Sequence, residues 1–547
     1  MPSFGPIRRV LPDLLLISAL ATAVEAQDAG AGRLHATDTP RTARASSSSC
    51  PGSASLDSPD IAYDPTNEVF LKAWTGGAPP DCDRYTYASL YAKSGTLLKT
   101  VTVHHNPGEY VLLGSAINNW SARVVNLPSL AKFVVVWGHH GNYGNEDDKL
   151  GIAVVDAATG TVEGRDVDVA TATAYDNAYR TVGRHALGAG PASGGSALVV
   201  YTNRVEITAR RITVDAQGTL QLGTPFELHR SSVSNAIDRV EVAGDSGTSG
   251  RHLVVFDERQ PTLDRDVRGV VVDAADRVVD AVAIATGPEE QNKPHVDGDG
   301  DAWCVAYRNQ TAASVRCVQV TWNTALGMSW TRAPRTVAPS TKADWPVVEA
   351  FDDSYTINWP EGATLALASV DATQCLSCEG VFSLSYRSAG FPVNTTAVFA
   401  RPREGIALIS ATASLSVLPI EDGFTTDLGG GCGPGGRAAA HCAKRGNANF
   451  QLGLADAAAL TPAFVAFSAG PLPFPCTQSC TLIPDLSTGV VVAAGSTDAL
   501  GSAALPAPLP NQLSLIGASF YEQWLLLTGD DCLASFALSN GLRAEIQ

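Results

Sequence analysis

The pentapeptide Phe133-Val134-Val135-Val136-Trp137 sets three β-branched residues between two aromatics, with Gly138 next in the chain. A run this short and apolar, bounded by glycine, reads as a strand buried on both faces. Val69–Trp74, Ala197–Tyr201, His252–Phe256, Trp303–Tyr307 and Tyr355–Trp359 share its build, and each closes on an aromatic. The closing residues Trp74, Trp137, Tyr201, Phe256, Tyr307 and Trp359 are separated, by subtraction, by 63, 64, 55, 51 and 52 positions. A period of this size marks a repeat architecture.

Each repeat opens on Asn or Asp and then a first strand. Asp57 precedes Pro59-Asp60-Ile61-Ala62, Asn119 precedes Arg123-Val124-Val125, and Asn177 precedes Tyr179-Arg180-Thr181-Val182. Asn235, Asn292 and Asp344 stand in the same relation to Asp238-Arg239-Val240, Pro294-His295-Val296 and Pro346-Val347-Val348. These short polar side chains bond backbone two residues on and fix the opening turn; a ring of them lining a channel is the functional alternative. The apolar strand follows. A third strand runs into turns such as Val155-Asp156-Ala157 and Val214-Asp215-Ala216-Gln217-Gly218, and a fourth, more polar strand such as Leu98–Val103 or Val278–Ile284 completes the unit.

Four antiparallel strands in about 50–60 residues match one blade of a β-propeller. A blade cannot bury its flat faces alone; a ring of blades can, which is why the second strand is apolar on both sides. The expected fold is therefore all-β: a six- or seven-bladed β-propeller over 57–420, with Ala397-Val398-Phe399 and Ile406–Ser410 as the degenerate seventh unit. Separate sandwich domains would need about 100 residues each, more than the observed period. Residues 421–431 read as a Gly-rich linker, and 432–547 as a small β-sandwich with strands at Phe450–Leu454, Phe464–Phe467, Val490–Ala494, Leu513–Ile516 and Ala534–Leu538.

The bulk numbers agree. The 547 residues are too many for one core. Only 17% are charged, while 50 Gly and 32 Pro suit short strands and turns. A net charge of −17 with no long basic run argues against nucleic acid and anionic membranes as partners. Arg8 and Arg9, the apolar Leu14–Ala23 and the small-residue site Val24-Glu25-Ala26 form a secretory signal over 1–26, too short to span a bilayer. Residues 27–56, rich in Ser, Ala and Thr, lack apolar periodicity and read as a flexible arm. The 11 cysteines fit an exported protein. Cys304 with Cys317, Cys50 with Cys82, and Cys432 with Cys442 are the pairings considered; Cys375-Leu376-Ser377-Cys378 reads as structural rather than zinc-binding or redox-active.

With these residues in view, 57–420 resembles exported bacterial propellers with a Pro-x-Val-Ala…Leu-Val-Val-Trp repeat. The tail resembles a C-terminal β module of large exported bacterial proteins. It does so through Gly431-Cys432-Gly433, Thr497-Asp498-Ala499-Leu500-Gly501, Leu515–Trp524 and Phe536–Leu542. The resemblance implies a secreted or cell-surface protein and carries no activity.

Several clusters bear chemistry. Asp297-Gly298-Asp299-Gly300-Asp301 alternates three carboxylates with glycine, the spacing of the first ligands of a calcium loop, but lacks the downstream bidentate Glu; a plain turn is the competing reading. His139-His140 with Glu146-Asp147-Asp148 flanks a Gly/Asn loop that suits either a metal or solvent, and His104-His105 is a weaker pair. Arg123, Arg180 and Arg239 occupy similar places in three repeats and would suit a carboxylate ligand at a channel mouth, unless each pairs with a carboxylate such as Asp176 or Asp238. In the first case they resemble the substrate arginines of sialidases. The repeated Ser-x-Asp-x-Gly-x-Thr-Trp turns of that family are missing, apart from a half-match at Gly327-Met328-Ser329-Trp330. No nucleophile elbow, Walker loop, dinucleotide fingerprint or His-Glu-x-x-His motif is present. The expected function is a non-catalytic propeller binding an extracellular protein, glycan or surface polymer. A carbohydrate-active enzyme working at the channel mouth is the alternative.

Overall fold

The computed structural model describes residues 57–78, 83–110, 122–139, 148–172, 185–190, 194–234, 236–245, 249–299, 302–324, 326–341, 345–351, 354–361, 364–371, 382–385, 397–400, 405–409, 415–418, 424–441, 443, 450–455, 457–477, 480–499, 501–532 and 535–546. Among these the secondary structure is β-strand and two short 3-10 turns. The chain divides into two compact units, with the break between Ile420 and Glu421.

In the N-terminal unit, the described strands form seven antiparallel sheets in chain order. Each begins with an inner strand: Asp57–Asp64, Ala122–Leu127, His185–Ala189, Ile237–Gly244, Gln291–Asp299, Val347–Phe351 and Ala397–Ala400. Consecutive inner strands lie against one another, and the last, Ala397–Ala400, lies against the first.

The second strands carry the burial that their sequences anticipate. Phe133 to Val136 are fully buried and Trp137 nearly so. The two faces of this strand serve different cores. Phe133, Val135 and Trp137 pack with Leu71, Ala73 and Leu90 of the first sheet. Val134 and Val136 pack with Ala197 and Val199 of the third. The same division recurs: Leu253 and Val255 pack toward the fifth sheet, Val254 and Phe256 toward the third. Phe256, Tyr307 and Trp359 each join the core shared with the preceding sheet, as Trp137 does. Tyr201 packs likewise, so these five closing aromatics hold equivalent places, while Trp74 is half-buried and stacks on Tyr87. Burying each such side chain contributes roughly 1.5–3 kcal/mol.

The C-terminal unit has a sheet in the order Phe424–Gly429, Gly541–Glu545, Ser519–Cys532, Pro462–Ser468, Val490–Ser496, and a three-stranded sheet of Arg437–His441, Gln451–Ala455 and Ala503–Pro506. Leu452, Leu454, Val465, Trp524, Leu526 and Leu542 build one core from both sheets. Leu513–Leu515, expected as strand, is a 3-10 turn.

The cysteine pairings differ from those expected. Cys432 bonds Cys480, not Cys442. Cys304 is a buried thiol and stands opposite Gln319, while Cys317 stands opposite Ala306, so this pair does not bridge the hairpin. Cys50, Cys82, Cys375, Cys378 and Cys442 lie outside the described residues.

Candidate functional site

Strand register explains which side chains meet where the inner strands converge. In each sheet one inner-strand residue stands opposite the residue just before the closing aromatic. That position holds Asp60, Arg123, Ala186, Glu241, His295 and Val347 in the first six sheets. Two residues further along, Asp297 and Glu349 occupy the next tier. Side chains two apart on a strand share a face, so these residues look the same way.

The first tier is a charged collar. Glu241 accepts from Arg123 Nη2 at 3.0 Å and from Arg239 Nε at 2.9 Å and Nη2 at 2.6 Å. The carboxylate of Asp60 accepts the backbone N–H of Val124 on the next inner strand at 2.9 Å. His295 Nδ1 accepts the N–H of Val348 at 3.3 Å, and Asp297 accepts those of Gly298 at 2.9 Å and Ala350 at 2.5 Å. Polar side chains of one sheet therefore cap backbone donors of the next. Asp60, Arg123, His295 and Glu349 are each half-buried.

The surroundings drive the titrations apart. Burial alone would raise Glu241, but the guanidiniums of Arg123 and Arg239 hold its pKa at about 2. Glu349 is raised well above the usual range, first by burial, then by the carboxylates of Asp297, Asp60 and Glu241. Burial likewise raises Asp60, against the pull of Arg123. Burial lowers His295 to about 4 despite Glu241, so its ring is neutral at pH 7.

At the N-terminal ends of the inner strands the ladder is interrupted. Register shifts fall between Asp57 and Asp60, Ile237 and Val240, and Asn292 and His295. Bulges of this kind re-aim side chains. Here they bring Arg239 over Trp345, with Cζ 4.4 Å from the ring centroid, and Lys293 Nζ to 5.3 Å from the same ring. Lys293 and Trp345 hold φ of +54° and +55°, and each immediately precedes a proline. A lysine and a tryptophan rarely adopt that conformation, and strain of this sort concentrates at ligand sites. Buried Asp257 maintains the arrangement: its Oδ1 accepts the N–H groups of Asp238 at 3.1 Å and Arg239 at 2.9 Å, and its Oδ2 that of Lys293 at 3.2 Å.

Of the three arginines singled out in the sequence, two meet, on Glu241 rather than on Asp176 or Asp238. Arg180 lies outside the described residues, and the inner strand of its sheet is His185–Ala189, so Ala186 holds the register position of Arg123. Asp297 sits within a strand, opposite Cys304. The Asp299 side chain and Asp301 lie outside the described residues, among which no group of three or more His, Cys, Asp or Glu is arranged to hold a metal. Of the Asn/Asp openers, Asn292 is buried and its amide bonds Glu290 and Gln310. Asn119, Asn177, Asn235 and Asp344 lie outside the described residues, as do His140, the side chain of His139 and the carboxylates of 146–148. His105 stacks on Tyr85 and His104 on Trp137, which gives both a packing role.

No family model matches the chain, and no curated protein matches it. Among solved structures it is similar to β-propellers. One is the Dos1 propeller, at 13% identity over 67% of this chain and 81% of that one, TM-score 0.40. A second is a PL25 ulvanlyase, a polysaccharide lyase, at 12% over 66% and 93%, TM-score 0.44. A third is the six-bladed, fucose-recognising lectin of Aleuria aurantia, at 10% over 62% and 100%, TM-score 0.36.

Proposed function

We propose that residues 57–420 form a seven-bladed β-propeller that binds carbohydrate at the mouth of its central channel. The closure of Ala397–Ala400 onto Asp57–Asp64 supports seven blades over six. The observation that carries the function is Trp345: a half-buried indole in a strained backbone conformation, flanked by Arg239 and Lys293 where the inner strands begin. An indole face stacks on the C–H face of a sugar ring, and the neighbouring donors bond its oxygens.

In this reading residues 1–26 are a signal peptide and the protein is secreted or displayed at the cell surface. The disulfide Cys432–Cys480 is consistent with that, and no helix of the described residues is long and apolar enough to cross a membrane. Residues 432–547 form a β-sandwich module. Calcium at Asp297, Asp299 and Asp301 is an accessory proposal, tested by melting with and without chelator.

The test is a glycan array probed with the full chain and with Trp345→Asn. Asparagine tolerates the left-handed conformation, so the backbone is kept while the indole is lost. Binding that Trp345→Asn abolishes supports the proposal; binding unchanged by it removes the mouth as the site.

A second reading, a carbohydrate-active enzyme, draws on one observation. Glu241 and Glu349 lie in adjacent tiers with their ionisations driven in opposite directions, the condition for a carboxylate to pair with a carboxylic acid in acid–base work. Product release that Glu349→Gln stops, with binding intact, would favour it.

A further inference from the structure

The groups around Trp345 offer donors and positive charge. Arginine and lysine have no acceptor to give a sugar hydroxyl. Glu241, the nearby carboxylate, is engaged by both Arg123 and Arg239. Arg239 spends Nε and Nη2 on it, so Nη1 is not used by Glu241. Asp257 turns its two oxygens to backbone donors and to Arg265, 3.4 Å away. Among the described residues, both cations at the Trp345 ring are donors only, so a sugar would meet them through its acceptor oxygens.

An anion fits better. A carboxylate or sulfate ester accepts several hydrogen bonds, and charge-assisted bonds to guanidinium and ammonium are about twice as strong as neutral ones. The separation of the two cations is itself built. Asp257 fastens the bulge carrying Arg239 and the residue carrying Lys293, and both cations lie within 5.3 Å of the centroid of one indole.

We infer that the sugar taken at this mouth is anionic, packed beside Trp345 with its carboxylate or sulfate ester held by Arg239 and Lys293. This rests on the carbohydrate reading above. Asp257 is the positioning residue. The chain's net charge of −17 disfavours the approach of long polyanions, so short oligosaccharides are the proper probes.

Calorimetric titration at about 0.15 M salt, where long-range repulsion is screened, tests it with the full chain. The probes are oligogalacturonate, oligoglucuronate and a sulfated oligogalactan, each beside its carboxyl-reduced or desulfated counterpart. At least one charged probe is expected to bind about 10-fold or more tighter than its neutral counterpart. Whether a uronate or the sulfated probe shows the gap identifies the anion. Lys293→Asn, or Lys293→Gln if the first variant does not fold, should remove most of that gap by weakening the charged probe more than its neutral counterpart.

Equal binding of charged and neutral counterparts overturns the anionic inference while leaving the carbohydrate reading intact. No binding by any probe, or binding indifferent to Trp345→Asn, overturns both.

Discussion

Asp257 accepts the backbone N–H of Lys293 at 3.2 Å, which ties the fourth sheet to the bulge of the fifth. Its other oxygen takes two backbone donors and Arg265 Nη1 in its own sheet, so one buried carboxylate sets the spacing of Arg239 and Lys293. Asp257→Asn replaces one accepting oxygen with a donor and leaves a buried N–H without its partner. The expected cost is about 1–3 kcal/mol in urea unfolding. Ligand affinity at the mouth should fall more than that of a control variant with the same stability loss. Equal falls would reduce Asp257 to a structural role.

Gly151 stands opposite Trp137, and the indole occupies the space a side chain would need. A Cβ there would lie 2.4 Å from Cε2 and Cζ2 of the ring. Gly151→Val should displace Trp137 from the core shared by the first two sheets. A loss of about 1–3 kcal/mol or more is expected, read as a lower urea midpoint. A variant as stable as the parent would show that this core can repack.

Glu241 makes stability fall in acid. Its folded pKa, about 2, lies below the unfolded value, so its contribution is complete above about pH 4.3 and disappears as pH drops through 2. Urea unfolding between pH 5 and 2 should show that decline. Glu241→Gln should flatten it and lower stability at pH 7, because Arg123 and Arg239 lose their shared partner. A parallel decline in the variant would assign the acid sensitivity elsewhere.

Glu522 acts with the opposite sign. It is fully buried in the C-terminal unit, neither carboxyl oxygen has a hydrogen-bond partner among the described residues, and burial raises its pKa well above the usual range. Its neutral form is the one the fold accepts. Stability should be greatest below about pH 4.3 and fall by up to about 1.4 kcal/mol per pH unit as pH rises toward the folded pKa. Glu522→Gln should remove that slope and stabilise the unit at pH 8. A chemical-denaturation series that shows the same slope in both proteins would refute this.

The repeat was legible because one strand type is buried: Phe133–Trp137 and its five counterparts announce themselves by composition, and five of the six closing aromatics hold equivalent places. The inner strands were harder. Their outward-looking positions are not tied to a core, so Asp60, Arg123, Glu241 and His295 share a register with no shared chemistry. The bulges hid it further. Arg239 looked like the counterpart of Arg123, but the shift between Ile237 and Val240 passes that register position to Glu241. In the third sheet the inner strand begins at His185, after Arg180. Trp345 escaped notice because a lone tryptophan before a proline has no periodicity to mark it. The Cys432–Cys480 bond spans 48 positions, a pairing that spacing alone does not fix.

The strand Phe133–Trp137 belongs to two cores at once, and so do Ala197–Tyr201, His252–Phe256 and Trp303–Tyr307. None of the second to fifth sheets is therefore a free-standing module. Excising one would strip a greasy wall from each neighbour, so proteolytic trimming inside this unit should yield aggregates rather than a shorter soluble protein. In evolution such a unit lengthens or shortens only by whole repeats that restore both contacts.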